Sequence, residues 1–514
     1  MIASLFNFSK KIFFFFKAQI INYLKKNKKN FIKINNFFLI ISIFKLIKDP
    51  NYAEKLISTS SYLNSRHLMV ILKISEKVIR RKIIFIKKIN AYNIEICDYY
   101  DSLARNLWYQ GKSKSAIKIF DKEEKYRIKI KNYYLKNKII KKQVNNNYYL
   151  PRNTIHVLGL IGHLDAIIKF IKLKKLNYKL NIIGQGNTVA NSFFFNLYKK
   201  YINFIEIKDN PLPQNILLEE KLYFKNFHWV MPSFYKNLPQ ICHKTFAETL
   251  LKWKIKKNKS LIRINNIENN FQKIKSELNI PKNKKYIVIH IRSKTYLDYH
   301  NKKADSFRNN DICNFEESIN YLNSLDYYVI LIGVNIDETK INCDKRMLIN
   351  YHKNSFRSEK NEVILIKNCE LFIGTNSGPH WIASSLGKKL CLINVPFNDG
   401  FPYYKDVIYL PLKYLKNNKI INIDHVLKKY SSFNFNWLFD YHKIKVLNNN
   451  SHDILLTIKE FLYEEKIIKN FDLYQNFKNK INSFRKKFKH YNRKYENKIN
   501  GKIAAAYILS NFSS

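Results

Sequence analysis

Glycine and proline are scarce, 11 of each in 514 residues, and such a chain is no Pro/Gly-rich disordered protein. Acidic residues are few: 39 Asp plus Glu stand against 91 Lys plus Arg, leaving a formal charge of +52. The six cysteines, at 97, 242, 313, 343, 369 and 391, contain no Cys-x-x-Cys pair. Nothing in this spacing suggests a disulfide framework or a zinc site, and a reducing cytoplasm is expected. Cys369 and Cys391 sit in apolar runs and read as small core residues. Long apolar runs are missing as well. Ile12–Phe16 and Phe37–Phe44 fall well short of the roughly 20 residues that cross a bilayer. No small-residue cleavage site follows, which argues against a signal peptide. Two roles remain open for this basic segment, 1–49: interfacial helices on the inner face of a membrane, or packing against the next domain.

What is present is a large apolar content, 46% hydrophobic and 15% aromatic, ample for two or three domains. Lys, Asn, Ile, Phe and Tyr, all with A/T-rich codons, abound throughout. The positive charge therefore reads as compositional drift spread over every segment. No specific nucleic-acid partner is expected, because the lysines are dispersed and no nucleic-acid module is recognisable. A weak peripheral attraction to an anionic membrane follows from the charge itself. Against this drift the rare residues are informative. Nine of the 11 glycines lie between Gly159 and Gly400, and glycine resists replacement where a ligand approaches the backbone.

Residues 50–130 read as helical hairpins. In Ser102–Phe120, apolar residues at helical spacing flank Gly111, with Ala116 and Phe120 facing back, which resembles one tetratricopeptide-type unit. Tyr52–Arg81 supplies a less clear earlier pair, and 131–151 reads as a linker ending at Pro151. The rhythm then changes. Strands are expected at Ile155–Gly159, Tyr178–Gly184 and Ile202–Ile207, with helices at His163–Leu173 and Thr188–Tyr201. Residues 210–280 are mixed and mostly helical. A second block predicts strands at 286–292, 327–333, 371–375 and 390–395, with helices at 315–325, 362–369 and 379–386. The class is α/β. Two such blocks, 152–280 and 281–450, give a GT-B-like pair of Rossmann-like lobes, the first on the acceptor side and the second on the donor side. Lysine-rich helices fill 451–514.

Three constellations carry chemistry. In Phe372–Gly387 an apolar strand ends at Thr375, Ser377 or Gly378 suits a cap, Pro379 fits the first helical turn and Gly387 the left-handed position after it. A helix start at a strand's carboxyl edge suits a diphosphate, held through Gly374, Thr375, Asn376, Ser377 and Gly378. His290 and Arg292 alternate onto one face of their strand, with Arg308-Asn-Asn-Asp311 behind them. A guanidinium fork grips phosphate oxygens in pairs, where lysine offers a point charge. In the first lobe, the Gly turn before His163 puts that imidazole at the mouth of the cleft, where it can take a proton from an acceptor hydroxyl. Asp165 is the substitute base. A helix-capping or core role for His163, and a capped helix without ligand at 379, are the competing readings.

Together these motifs resemble a bacterial family assigned as GT-B-like glycosyltransferases and linked to surface-polysaccharide synthesis. The resemblance spans roughly 150 to 510. It rests on Ile161-Gly-His-Leu, Val189-Ala-Asn191, His290-Ile-Arg292 with Arg308–Asp311, Ile373-Gly-Thr-Asn-Ser-Gly378, Leu386-Gly, Ile393-Asn394, the Asn450-Ser-His-Asp-Ile helix start and the Asn-Gly-Lys-Ile run from Asn500. Helical repeats often precede such domains in the family, in line with 50–130. The His-x-Arg strand is similar to the phosphate motif of fucosyltransferases, except that Ser293-Lys294-Thr295 stands where an acidic residue is expected. Ser377-Gly-Pro-His looks like the heptosyltransferase turn. The resemblance implies a nucleotide-diphosphate sugar as co-substrate, a glycan or lipid-linked acceptor, and an inverting transfer. Arg292 would act on the leaving diphosphate and His290 and Arg308 would orient it. No metal is expected, because no Asp-x-Asp pair ends a strand. The alternative from a different class is an inactive GT-B-fold scaffold that binds a protein partner through its helical repeats.

Overall fold

The computed structural model describes residues 65–140, 146–207, 214–223, 244–257, 260–264, 267–293, 303–396, 407–422, 425–430, 433, 436–491 and 501–512. The 1–49 segment and the first half of the Tyr52–Arg81 pair lie outside them. The chain divides into two compact units: Met1–Asn137 with Asn301–Asp305 and Ser432–Ile444, and the remainder.

The first unit is helical. α1 (Ser65–Ile89), α2 (Glu95–Tyr109) and α3 (Ser113–Lys136) bury Leu68, Ile71, Leu72, Leu103, Leu107, Ala116 and Phe120. Apolar residues three and four apart on each helix form these inner stripes. Gly111 makes the expected turn between α2 and α3 with φ +73, and a Cβ there would lie 2.9 Å from the Phe433 ring. α3 runs six residues beyond the expected boundary at 130, so 131–136 is helix and not linker.

The second unit contains both α/β blocks. Its first lobe has the parallel sheet β1-β2-β3: β1 (Asn146–Tyr149), β2 (Tyr178–Gly184) and β3 (Ile202–Glu206). Here the sequence reading is corrected. The opening strand is Asn146–Tyr149, inside the expected linker, and no strand forms at Ile155–Gly159. Val157 is instead the extended N-cap of α4 (Leu158–Leu173), so Gly159 and Gly162 are helical residues, not a turn. The expected helix over Thr188–Tyr201 is broken into short turns around α5 (Ser192–Asn196), which Asn191 caps by accepting the Phe194 N–H at 2.7 Å. α6 (Gln214–Leu222), α7 (Lys244–Lys257) and α8 (Ile267–Glu277) lead to the second lobe.

That lobe keeps the expected rhythm and adds two strands the sequence reading did not place: β4 (Tyr286–His290), α9 (Glu316–Ser324), β5 (Tyr328–Ile332), the unexpected β6 (Leu348–Asn350), α10 (Glu359–Asn368), β7 (Phe372–Thr375), α11 (Pro379–Ser385), β8 (Leu390–Val395) and the unexpected β9 (Val407–Pro411). Every residue of β4, β7, β8 and β9 is buried. Both faces of the sheet are thus covered, which is why these strands read as unbroken β-branched and apolar runs. β10 (Lys413–Lys416), β11 (Lys419–Ile420) and β12 (Lys445–Leu447) form a small antiparallel sheet. The C-terminal segment supplies α12 (Ser451–Glu464), α13 (Asp472–Tyr491), β13 (Lys502–Ile503) and α14 (Ala505–Phe512). β13 adds in parallel to β9, giving the seven-stranded order β13-β9-β8-β7-β4-β5-β6. The α/β class and the pair of parallel-sheet lobes match the sequence reading.

Arg485 of α13 holds the added strand in place. Its Nη2 donates to Ile503 O at 2.7 Å and also pairs with Glu460, which is fully buried and accepts the Ala505 N–H at 2.7 Å. Removing one partner of a buried pair leaves an uncompensated charge, a loss of about 3–5 kcal/mol. Arg485→Ala is therefore expected to lower the denaturant midpoint sharply, and Arg485→Met with Glu460→Met far less. Equilibrium urea unfolding of the three proteins checks this.

Candidate functional site

The sheet order places the site. From β4 the chain proceeds to β5 and β6 on one side and, after β6, crosses to β7, β8 and β9 on the other. The carboxyl ends of β4 and β7 therefore flank the point where strand order reverses, the position at which ligands of open parallel sheets bind. The register pairs His290, the last residue of β4, with Gly374, the next to last of β7.

Thr375 joins the two ends. Its buried hydroxyl accepts the Arg292 N–H at 3.0 Å and lies 3.5 Å from His290 Nδ1. His290 and Arg292 are both almost fully buried. Arg308 reaches across from a short 3-10 turn and grips the carbonyl of Asn376 with Nε at 3.2 Å and Nη2 at 2.7 Å. Asn376 is buried, whereas Ser377 and Gly378 are half-buried. The helix cap is Gly378, with helical φ −51 and ψ −43 and no side-chain capping bond; Pro379 follows in the first turn. α11 has seven residues, so its dipole is short and the guanidinium groups are the main source of positive potential.

Two uncharged histidines stand beside the guanidinium groups. Burial, and then the Arg292 guanidinium, hold His290 at about 3. Burial, and then Arg308 and His290, hold His380 at about 3. Both imidazoles are neutral at pH 7 and stand where an additional proton would be repelled by the neighbouring arginines. The sequence reading gives His380 no role, although its place three residues after Ser377 in the first turn of α11 was the available signal.

The first-lobe candidates fall on α4. His163 is 7% exposed, and its ring meets Trp381 edge-on at 4.5 Å between centroids, which brings it against α11. Asp165 lies deeper, paired with Lys169 at 2.5 Å, and burial pushes its carboxyl above the usual range. α4 and α11 touch through their glycines. A Cβ on Gly162 would sit 2.3 Å from Trp381 Cβ, and one on Gly378 would sit 2.7 Å from Leu158 Cβ. Glycine is required at both positions by close approach of the two lobes. A further tie is Glu359 of α10, which accepts the Ser192 N–H at 2.7 Å. Beside it Glu362, which the sequence reading placed only as a helix start, is pushed by burial to about 7.

Among the described residues no group of three His, Cys, Asp or Glu side chains is arranged to hold a metal ion, and no helix is long and apolar enough to cross a membrane. No protein-family model matches the sequence, and no curated protein does. Among solved structures, the chain is similar to a glycosyl transferase family 9 protein from Veillonella parvula, with 11% identity over 63% of this chain and 99% of that one, TM-score 0.38. It is similar to the E. coli ADP-heptose LPS heptosyltransferase II, with 11% identity over 62% and 99%, TM-score 0.36. A third is a dodecameric iron-containing heptosyltransferase from E. coli in complex with ADP-D-beta-D-heptose, with 15% identity over 49% and 59%, TM-score 0.29. At such low identity and TM-score, function has to be read from this chain's own residues.

Two outcomes are expected here. Gly162→Ala would force Trp381 and His163 apart, destabilising the protein by about 1–3 kcal/mol, measurable by urea unfolding and by a shift in Trp fluorescence. The histidines give a pH dependence of defined sign. Their folded-state values lie below the unfolded value of 6.5, so unfolding takes up protons as the pH falls from about 6.5 toward 3 and stability is lost over that window. His290→Gln with His380→Gln should flatten the slope of unfolding free energy against pH between 6.5 and 4.

Proposed function

We propose that this chain is a glycosyltransferase that moves a sugar from a nucleotide-diphosphate sugar to a glycan or lipid-linked acceptor. The observation that carries the reading is the meeting of Arg292, Arg308, His290 and His380 around the half-buried Ser377–Gly378 turn at the reversal of strand order. A pyrophosphate supplies the negative charge that such a cluster favours, and in a dry setting that stabilisation grows as the leaving group gains charge. The acceptor oxygen attacks the anomeric carbon, the bond from that carbon to the phosphate oxygen breaks, and the nucleoside diphosphate leaves with the electron pair. Arg292 and the N–H groups at Ser377 and Gly378 receive the developing charge. His290 and Arg308 fix its orientation, Arg308 by holding the turn itself. His163 takes the acceptor's proton. Asp165 is the weaker candidate because Lys169 already occupies its carboxylate.

Inversion at the anomeric carbon, independence of metal, and residence on the inner face of the membrane complete the proposal, supported by the sequence motifs alone. Likewise, the tetratricopeptide-like reading of the helical unit and the fucosyltransferase-like reading of His290-Ile-Arg292 rest on sequence.

Calorimetric titration with ADP, UDP and GDP tests the site. One charge-assisted hydrogen bond is worth about 1.5–3 kcal/mol, so Arg292→Ala should weaken the best-bound diphosphate by roughly 10- to 100-fold. Binding should also take up protons near pH 6, because an anion raises the low histidine values; titrations in buffers of different ionisation enthalpy measure this. Affinity unchanged in Arg292→Ala and in Arg308→Ala would overturn the assignment.

A further inference from the structure

Behind the arginines lies a set of asparagines that the proposed chemistry does not use. The Asn310 N–H donates to the main-chain carbonyl of Arg292 at 2.8 Å, and Asn310 Nδ2 donates to that of Arg308 at 3.0 Å. A single residue thus ties both arginine backbones. Asn310 Oδ1 in turn accepts from Asn394 Nδ2. Asn394 is fully buried, takes φ +53, and sits where the β8–β9 register shifts between Ile393 and Val395. Its own Oδ1 accepts the Asn449 N–H at 2.9 Å and Asn449 Nδ2 at 2.7 Å, and Asn449 Nδ2 also reaches Pro411 O at 2.7 Å. Alongside, Asn448 Nδ2 donates to Asn309 O at 2.7 Å.

We propose that Asn310, Asn394 and Asn449 are positioning residues that fix the spacing of Arg292 and Arg308 for a diphosphate, resting on the site reading given above. Amides suit this task for two reasons. Asn394 donates on one side and accepts on the other, and a carboxylate cannot donate. A carboxylate near two guanidinium groups would also pair with them and compete with the anionic ligand, whereas an amide fixes the backbone without adding negative charge. Asn394 is pinned by the residues that immediately precede α12, so the start of the C-terminal helices is wired to the phosphate cradle. Asn310 and Asn394 use both ends of their amides, whereas Asn449 Oδ1 has no partner among the described residues; buried hydrogen bonds of this kind rigidify what they touch.

The test compares affinity for the best-bound nucleoside diphosphate with affinity for the matching uncharged nucleoside, by calorimetry on the full chain. Asn394→Asp is expected to reduce the diphosphate-to-nucleoside preference at least 10-fold while nucleoside affinity stays within about 2-fold, a fold-change worth about 1.4 kcal/mol. Asn449→Ala, one step further from the arginines, should reduce the preference about 3-fold, and it serves if Asn394→Asp does not melt cooperatively. A preference that is unchanged, or affinities that fall in parallel as in general loosening, would overturn the positioning role while leaving the site reading intact whenever Arg292→Ala still loses diphosphate. A wild-type chain with no preference for diphosphate over nucleoside would sink both.

Discussion

The hydroxyl of Thr375 closes the gap between two strands that lie side by side in the sheet but come from distant parts of the chain. By accepting the Arg292 N–H, this last residue of β7 carries the contact between β4 and β7 past His290, where β4 has ended. Everything polar at the site depends on that extension. His290 lies 3.5 Å from the hydroxyl through Nδ1, Arg292 follows the end of β4, and the turn of Asn376–Gly378 follows Thr375 itself. A parallel sheet brings two such ends together only where strand order reverses, so the topology and the cluster are one arrangement.

The electrostatics follow from burial in a chain already rich in positive charge. Burial first, and then the neighbouring guanidinium groups, keep two imidazoles neutral at pH 7. On the proposed reading, an anion bound here would both neutralise the arginines and favour protonation of the histidines. Lysines, dispersed and strongly hydrated, do not achieve this, which is why the few arginines say more about function than the total charge.

The second lobe was legible in the sequence because its strands are buried on both faces, so the β-branched runs have sharp ends at Gly, Asn and Ser. The first lobe was less so. The weakly apolar Asn146–Tyr149 forms a strand because it pairs with β2, and Ile155–Gly159 does not because Val157 already caps a helix. Local propensity carries neither fact. Gly162, expected in a turn, misled in a related way, whereas Gly378 is a helix cap as expected. Gly162 and Gly378 mark where helices of the two lobes press together, a requirement set by Trp381 and Leu158 far away in sequence. The candidate residues His290, Arg292, Arg308 and Thr375–Gly378, which the fold brings together, were visible as motifs, whereas His380 acquires meaning only once Arg308 is seen beside it. Asp165 shows the reverse case, a plausible acid in sequence that is committed to Lys169 in the fold.

The pairing of β13 with β9 has a consequence for how the molecule is made. β9 is buried along its whole length, yet the strand that covers its edge is synthesised more than ninety positions later. Translation at about 5–20 residues per second leaves that edge uncovered for several seconds as the nascent chain emerges. During that interval Val407–Pro411 offers open backbone groups to any neighbouring chain. Crowded polysomes are thus where this protein is most exposed to misassembly, and the clamp of Arg485 on Ile503 marks the end of that vulnerable period.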